Sequence, residues 1–117
     1  METVARQLLV ELSGCPASVL ADKAVLGEAL GSTARALGIH VIFTHVCSTG
    51  EDSVTGVAMA DVAHVVMKAW PKEGMVTADI MATASLQTSP CIERLLAAFN
   101  ASHHIALEIG RGALHEC

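Results

Sequence analysis

Hydrophobic and polar positions alternate from Gln7 to Leu12, with Leu8, Val10 and Leu12 on one side and Gln7, Leu9 and Glu11 on the other. A period of two predicts a β-strand, which Gly14-Cys15-Pro16 ends. The period then lengthens. Leu26, Leu30, Ala34 and Leu37 recur at steps of three or four, which predicts a helix. Asp22 is placed to cap its start, and Gly38 stands where a helix commonly stops in the left-handed conformation. Ile39 to Val46 is β-branched and aromatic and predicts a second strand, and polar Ser48 to Ser53, with Gly50, predicts a loop.

Three strands are predicted next, at Val54 to Met59, His64 to Trp70 and Met75 to Ala82. Their short links favour antiparallel hairpins, and Pro71-Lys72-Glu73-Gly74 has the composition of a turn. Ser89-Pro90 predicts the start of a second helix, with Ser as cap and Pro at the first helical position. Its apolar face reads Ile92, Leu95, Leu96 and Phe99. Ile105 to Ile109 predicts a last short strand, and Arg111 to Cys117 a frayed tail. The order is strand, helix, three or four strands, helix, strand. It predicts an α+β two-layer sandwich: an antiparallel β-sheet with two helices on one face. Residues 1–112 form the single domain and 113–117 the C-terminal tail. The strands are apolar on both sides, yet two helices cover one face only. A homodimer through the second face is therefore expected.

Composition sharpens this picture. The chain has 117 residues, enough for one core, and 52% are hydrophobic, which excludes a disordered chain. Aromatics make up only 3%, so Leu, Val, Ile, Ala and Met must fill that core. A formal net charge of −5 argues against a nucleic-acid or anionic-membrane partner. No apolar run approaches the roughly 18 residues needed to span a bilayer. The start Met1-Glu2-Thr3 lacks the basic opening of a secretory signal, so a cytoplasmic location is expected. The 4 cysteines, at 15, 47, 91 and 117, form no C-x-x-C pair and read as free thiols. His103 and His104 are adjacent on a strand and point to opposite faces, so no metal site is expected. Gly110-Arg111-Gly112 precedes no helix and makes no phosphate loop.

The segment with most chemical content runs from Ser53 to Thr83. It reads Ser53-Val54-Thr55-Gly56-Val57, then Val62-Ala63-His64, then Lys68-Ala69-Trp70-Pro71-Lys72-Glu73-Gly74, then Asp79 and Met81-Ala82-Thr83-Ala84. Without a gap, this frame resembles the small prokaryotic S-adenosylmethionine decarboxylases. Their pattern is roughly G-V-S-G-V-x-x-x-x-E-S-H-x-x-x-H-x-W-P-E-x-G, followed by an aspartate and F-T-C-G. The opening Arg6-Gln7-Leu8-Leu9-Val10-Glu11-Leu12-Ser13-Gly14-Cys15 resembles that family's G-R-H-L-L-V-E-L-x-G-C. The likeness extends over about residues 5 to 112. It implies the same two-layer fold and assembly as dimers, with sites near the subunit interface.

The resemblance also implies which residues to examine. Family members cut their own chain between Glu and Ser, and the Ser becomes a covalent pyruvoyl group. Those positions hold Val62 and Ala63 here, and a methyl group cannot attack a carbonyl. No other serine follows a Glu. Without a pyruvoyl carbonyl there is no electron sink for decarboxylating an amino acid, so no cofactor is expected. The family's second histidine falls at Lys68, its proton-donating cysteine at Thr83 and the serine of G-V-S-G at Thr55. The Glu after Trp-Pro, linked in the family to ribose recognition, becomes Lys72, with Glu73 next to it. The aromatic-bearing segment before the hairpin reads Val46-Cys47-Ser48-Thr49, which leaves no ring there to stack on adenine.

If that geometry survives, His64, Lys68, Thr55 and Thr83 are expected to lie near one another. A partly buried Lys68 could serve as a base or amine nucleophile, or hold a substrate carboxylate; the alternative is a lysine paired with Asp61 or Asp79. Lys68 and His64 are the candidate catalytic residues. Trp70, Lys72 and Glu73 are candidate substrate contacts, with Trp70 also readable as packing and Asp79 as structural. The resulting reading is an S-adenosylmethionine decarboxylase-like protein without pyruvoyl. It binds or transforms S-adenosylmethionine or a related small metabolite by non-decarboxylating chemistry. The alternative is an inactive paralogue that regulates an active decarboxylase of polyamine biosynthesis through mixed dimers.

Overall fold

Alternation along the strands and a three-to-four spacing along the helices both point the same apolar set inward. The computed structural model describes residues 3–112. The elements run β1 (Ala5–Ser13), α1 (Ala17–Leu20), α2 (Lys23–Leu37), β2 (Phe43–Ser48), β3 (Val54–Met59), β4 (Ala63–Trp70), β5 (Met75–Thr83), α3 (Pro90–Phe99) and β6 (His103–Arg111). The strands form one six-stranded sheet in the order β2-β3-β4-β5-β1-β6, with every neighbouring pair antiparallel. The expected α+β two-layer architecture is the observed one.

One face of the sheet supplies the core. Leu8, Val10 and Leu12 of β1, Val65, Met67 and Ala69 of β4, and Val76, Ala78 and Ile80 of β5 are buried with Leu26, Leu30, Leu95 and Phe99 of the helices. Asp22 caps α2 through its Oδ1, which accepts the Ala24 N–H at 2.9 Å. Gly38 closes that helix with φ 72°. The tight link from β4 to β5 turns at Gly74, whose φ of 62° is open to glycine at little cost.

Five details differ from the sequence expectation. The second strand begins at Phe43, not Ile39, because the chain must first leave the helix cap. Ile39 N–H still bonds the carbonyl of Ala34, and pairing resumes where Ile42 N–H reaches the carbonyl of Met59 at 2.7 Å. A four-residue helix, Ala17–Leu20, follows Pro16 and buries Leu20, a turn too short to show a period. Ser89 does not cap α3 with its side chain; its own backbone is already helical (φ −57°, ψ −35°). The buried edge of α3 is Cys91, Leu95 and Phe99, with Ile92 and Leu96 at its margin. The last strand is longer than expected and includes Arg111, because β1 pairs with it along its whole length. The expected tail at 113–117 lies outside the described residues.

Candidate functional site

The candidate residues fall on the face of the sheet that the helices leave open. Strand register arranges them in rows. One row crosses Cys47, Thr55, Lys68, Thr77, Glu11 and Ile105. A second crosses Phe43, Met59, His64, Met81, Gln7 and Ile109. Between them run Val57, Val66, Asp79 and Leu9. His64, Val66, Lys68 and Trp70 share this face, as the alternation predicted.

The first row carries a hydroxyl relay and a cation. Thr55 stands directly opposite Lys68. Its Oγ1 is 2.7 Å from Thr49 Oγ1, which is in turn 2.8 Å from Ser53 Oγ. The Ser53 hydroxyl also donates to the carbonyl of Thr49. Lys68 is half-buried, and its Nζ lies 5.8 Å from the centre of the Trp70 ring, within cation–π range. Among the described residues, the ion pairs are Arg6–Glu108 and Lys72–Asp52, so neither Asp61 nor Asp79 neutralises Lys68. Lys72 is held by Asp52 at 3.1 Å on the exposed turn, and Glu73 is exposed beside it.

The second cluster lies at the other end of β4. A small cleft of about 180 Å³ is lined by Ala5, Asp61, Val62, Ala63, His64 and Thr83, among others. Here the Val62 carbonyl accepts the Thr83 N–H at 3.0 Å, and Ala60 N–H bonds the Ala63 carbonyl at 2.8 Å. Ala63 itself turns its methyl inward and is buried. The segment is an ordinary hairpin end, and residue 63 offers no hydroxyl or thiol beside the Val62 carbonyl. The residues at this point therefore do not fit a pyruvoyl group, which must be made from such a side chain.

The structure thus brings together Thr55 with Lys68, and His64 with Thr83, but not all four at once. Four residues of strand separate His64 from Lys68, or about 13 Å at 3.3 Å per residue. The sequence reading correctly put them on one face and overestimated their closeness along it. It named Ser53 and Thr49 as parts of the family-like frame but gave neither a place beside Thr55 and Lys68. A count of hairpin register from Cys47 opposite Thr55 would have drawn attention to them. Burial pushes the Cys15 thiol upward, and pushes Cys91 up to about 11 against a smaller opposing effect of Arg94. Both thiols are buried on the helix side, away from the open face.

Comparison with known proteins agrees with the fold and with the family resemblance. Residues 6–112 match the family model described as S-adenosylmethionine decarboxylase. The chain is 25% identical over 118 residues to an S-adenosylmethionine decarboxylase proenzyme of Acetivibrio thermocellus, covering 99% of this chain and 94% of that one. It is 26% identical over 100 residues to the proenzyme of Methanococcus maripaludis, with 82% of each chain covered. The crystal structure of the adenosylmethionine decarboxylase from Aquifex aeolicus superposes with a TM-score of 0.83 at 20% identity, covering 99% of this chain and 97% of that one. With the family model matched across the sheet, both long helices and the open face, this chain belongs to the S-adenosylmethionine decarboxylase family.

Proposed function

We propose that this protein is a member of the family that does not process itself, carries no pyruvoyl group and binds S-adenosylmethionine or a related small metabolite on its open sheet face. Any reaction there is non-decarboxylating. The observation that carries the reading is Ala63: a buried methyl stands where the family resemblance requires the nucleophile. S-adenosylmethionine is a sulfonium, and its C–S bond can break with the electron pair passing to sulfur. Cyclisation or elimination of that kind needs positioning and a base, not an electron sink. Lys68 is the group proposed to hold the ligand's carboxylate or to take up the proton, with Thr55 opposite it and Trp70 alongside.

A homodimer through the open face belongs to the same proposal. Phe43, Met59, Ile105, Leu107 and Ile109 are exposed large apolar residues on that face. The cleft beside His64 measures about 180 Å³. That is below the roughly 300–1,000 Å³ of ordinary ligand pockets, so a second sheet is needed to complete an enclosure. The regulatory alternative replaces the second copy with a decarboxylase that retains the Glu-Ser-His sequence.

Three measurements test this. The intact mass is expected to match the full 12.1 kDa chain; two fragments, the larger C-terminal one with a ketone at its N-terminus, would contradict it. Light scattering is expected to give a dimer at micromolar concentration, and a monomer would remove the dimer from the proposal. S-adenosylmethionine is expected to raise the melting temperature by mass action. Lys68→Ala is expected to abolish that rise while leaving the unliganded melting temperature nearly unchanged. If Lys68→Ala unfolds the protein, Lys68 is structural, and if it changes neither binding nor stability, the pocket reading is wrong.

A further inference from the structure

β6 ends the sheet beyond β1, and no strand among the described residues pairs with its outer edge. Every residue from His103 to Arg111 is exposed, so no helix overhangs the strand on either face. The ladder fixes which backbone groups this edge presents. In an antiparallel sheet, alternate residues of a strand bond to opposite neighbours. Ala84 N–H bonds the Val4 carbonyl, so the even-numbered residues of β1 turn to β5 and the odd-numbered ones to β6. The Ser13 carbonyl, which accepts the Ser102 N–H, fits that assignment. Odd-numbered residues of β6 stand opposite odd-numbered residues of β1 and bond inward. His104, Ala106, Glu108 and Gly110 therefore aim their N–H and C=O groups outward.

Exposed edges are ordinarily blunted by proline, lysine, a bulge or a very short strand. This edge has none of these. His103 to Arg111 contains no Pro or Lys, and its register with β1 runs unbroken from Ser13↔His103 to Ala5↔Arg111. The charge of Glu108 is already paired with Arg6. The edge is also complementary to itself. Two copies of β6, antiparallel about a two-fold axis at Leu107, set His104 against the partner's Gly110 and Ala106 against the partner's Glu108. Every outward-bonding residue then meets another. On the open face, Leu107 meets the partner's Leu107 and Ile105 meets the partner's Ile109. An axis at Glu108 would place two carboxylates opposite each other, and an axis at Ala106 would set Ile109 against a histidine.

We propose that β6 is a self-association edge: a second copy of this chain pairs with it antiparallel about Leu107, joining two six-stranded sheets into one. This isologous contact closes on itself. The other edge strand, β2, spans only Phe43–Ser48, so a β6–β2 contact would leave part of β6 unpaired and run on from copy to copy. The contact is separate from the open-face dimer, which covers side chains on one face and cannot pair an edge. Two strands bury less surface than two sheet faces, so the edge contact forms at higher concentration.

The test is hydrogen exchange followed by NMR on the intact protein, from about 50 μM to about 1 mM. The amides of His104, Ala106, Glu108 and Gly110 are expected to exchange about tenfold more slowly at the top of the range, while the odd-numbered amides of β6 stay protected throughout. Ala106→Glu sets a carboxylate against the partner's Glu108 and is expected to abolish the slowing. Ala106→Lys, at the same place with the opposite charge, is expected to keep it. The Ala106 side chain lies on the helix side of the sheet, so neither variant alters the open face. Continued protection of the odd-numbered amides shows that each variant folds. Phe43→Glu, on the open face at the opposite edge, is expected to break the open-face dimer and leave the slowing in place. Even-numbered amides that exchange equally fast at every concentration overturn the proposal. So does slowing that survives Ala106→Glu or is lost with Ala106→Lys. Slowing lost with Phe43→Glu overturns it too, by assigning the protection to the open face, and growth into filaments overturns it by assigning the edge to β2.

Discussion

Gly56 is the middle of the Val-x-Gly-Val frame, and its packing explains why a side chain is excluded there. It lies on β3 beneath α2. A Cβ built on it would stand 2.2 Å from Leu26 Cδ2, 2.9 Å from Leu30 Cδ1 and 3.2 Å from Val46 Cγ2. Leu26 and Leu30 are 1% and 0% exposed, so their methyl ends have no open space to move into. Gly56→Ala must shift the helix or force both leucines off their rotamers. Overpacking of this kind costs about 1–3 kcal/mol. Alanine regains roughly 0.5–1 kcal/mol by restricting the unfolded chain. The steric term wins, and the net expectation is a loss of about 1–2 kcal/mol. At roughly 4 °C per kcal/mol for a domain of this size, the melting temperature should fall by about 4–8 °C. Urea denaturation at fixed protein concentration checks this, with a lower midpoint and an unchanged m-value. Gly27→Ala is the internal control. Its Cβ would meet only Val46 Cγ2, at 3.9 Å, so relief of helix propensity dominates and stability should rise by up to about 1 kcal/mol. A Gly56→Ala protein as stable as the parent would refute the reasoning that α2 rests directly on this glycine.

Two further outcomes are expected. Asp22→Ala removes the side-chain cap of α2 and should cost about 1 kcal/mol in the same denaturation assay, with Asp22→Ser retaining most of it. Cys91 is fully buried with its thiol raised to about 11, so a thiol reagent at pH 8 should leave it unlabelled in the native protein and label it in urea. Its folded pKa lies above the unfolded value of 9.0, so its contribution to stability is complete below pH 9 and is lost as pH rises towards 11. A Cys91→Ala protein should show a flatter stability profile over that interval.

The strands were legible because each one buries alternate residues: Leu8, Val10 and Leu12 are inward in the structure as they are by period. The α2 boundaries were legible because Asp22 and Gly38 are chemically specific stop and start signals. What escaped was set by tertiary contact. The delayed start of β2 depends on where Ile42 finds Met59, seventeen residues and a hairpin away, and no local signal marks it. The same holds for the site. Facing followed from alternation, so Lys68 and His64 were placed on one surface. Distance along a strand was given too little weight beside a family frame in which both positions matter. The contact among the Thr49, Ser53 and Thr55 hydroxyls escaped for a different reason: it depends on how the loop closes, not on any period.

The positions at which this chain departs from the family frame divide by the side of the sheet. Thr55, Lys68 and Thr83 face away from the helices, and changes there leave Leu26, Leu30 and Phe99 undisturbed. Residues on that face can change chemistry while the fold persists. Ala63 is the exception, since it points into the buried side opposite Ala82. Restoring serine there places a hydroxyl among alanines and valines, at a cost of about 1–3 kcal/mol unless it finds a partner. It would also follow Val62, not a glutamate, while Lys68 and Thr83, on the opposite face of the sheet, stand where the family resemblance places a histidine and a cysteine. Ala63→Ser is therefore expected to lower the urea midpoint and still to give a single intact mass. If the variant instead yields two fragments, the surrounding residues retain processing chemistry, and the reading of this member as non-processing rests on one side chain alone.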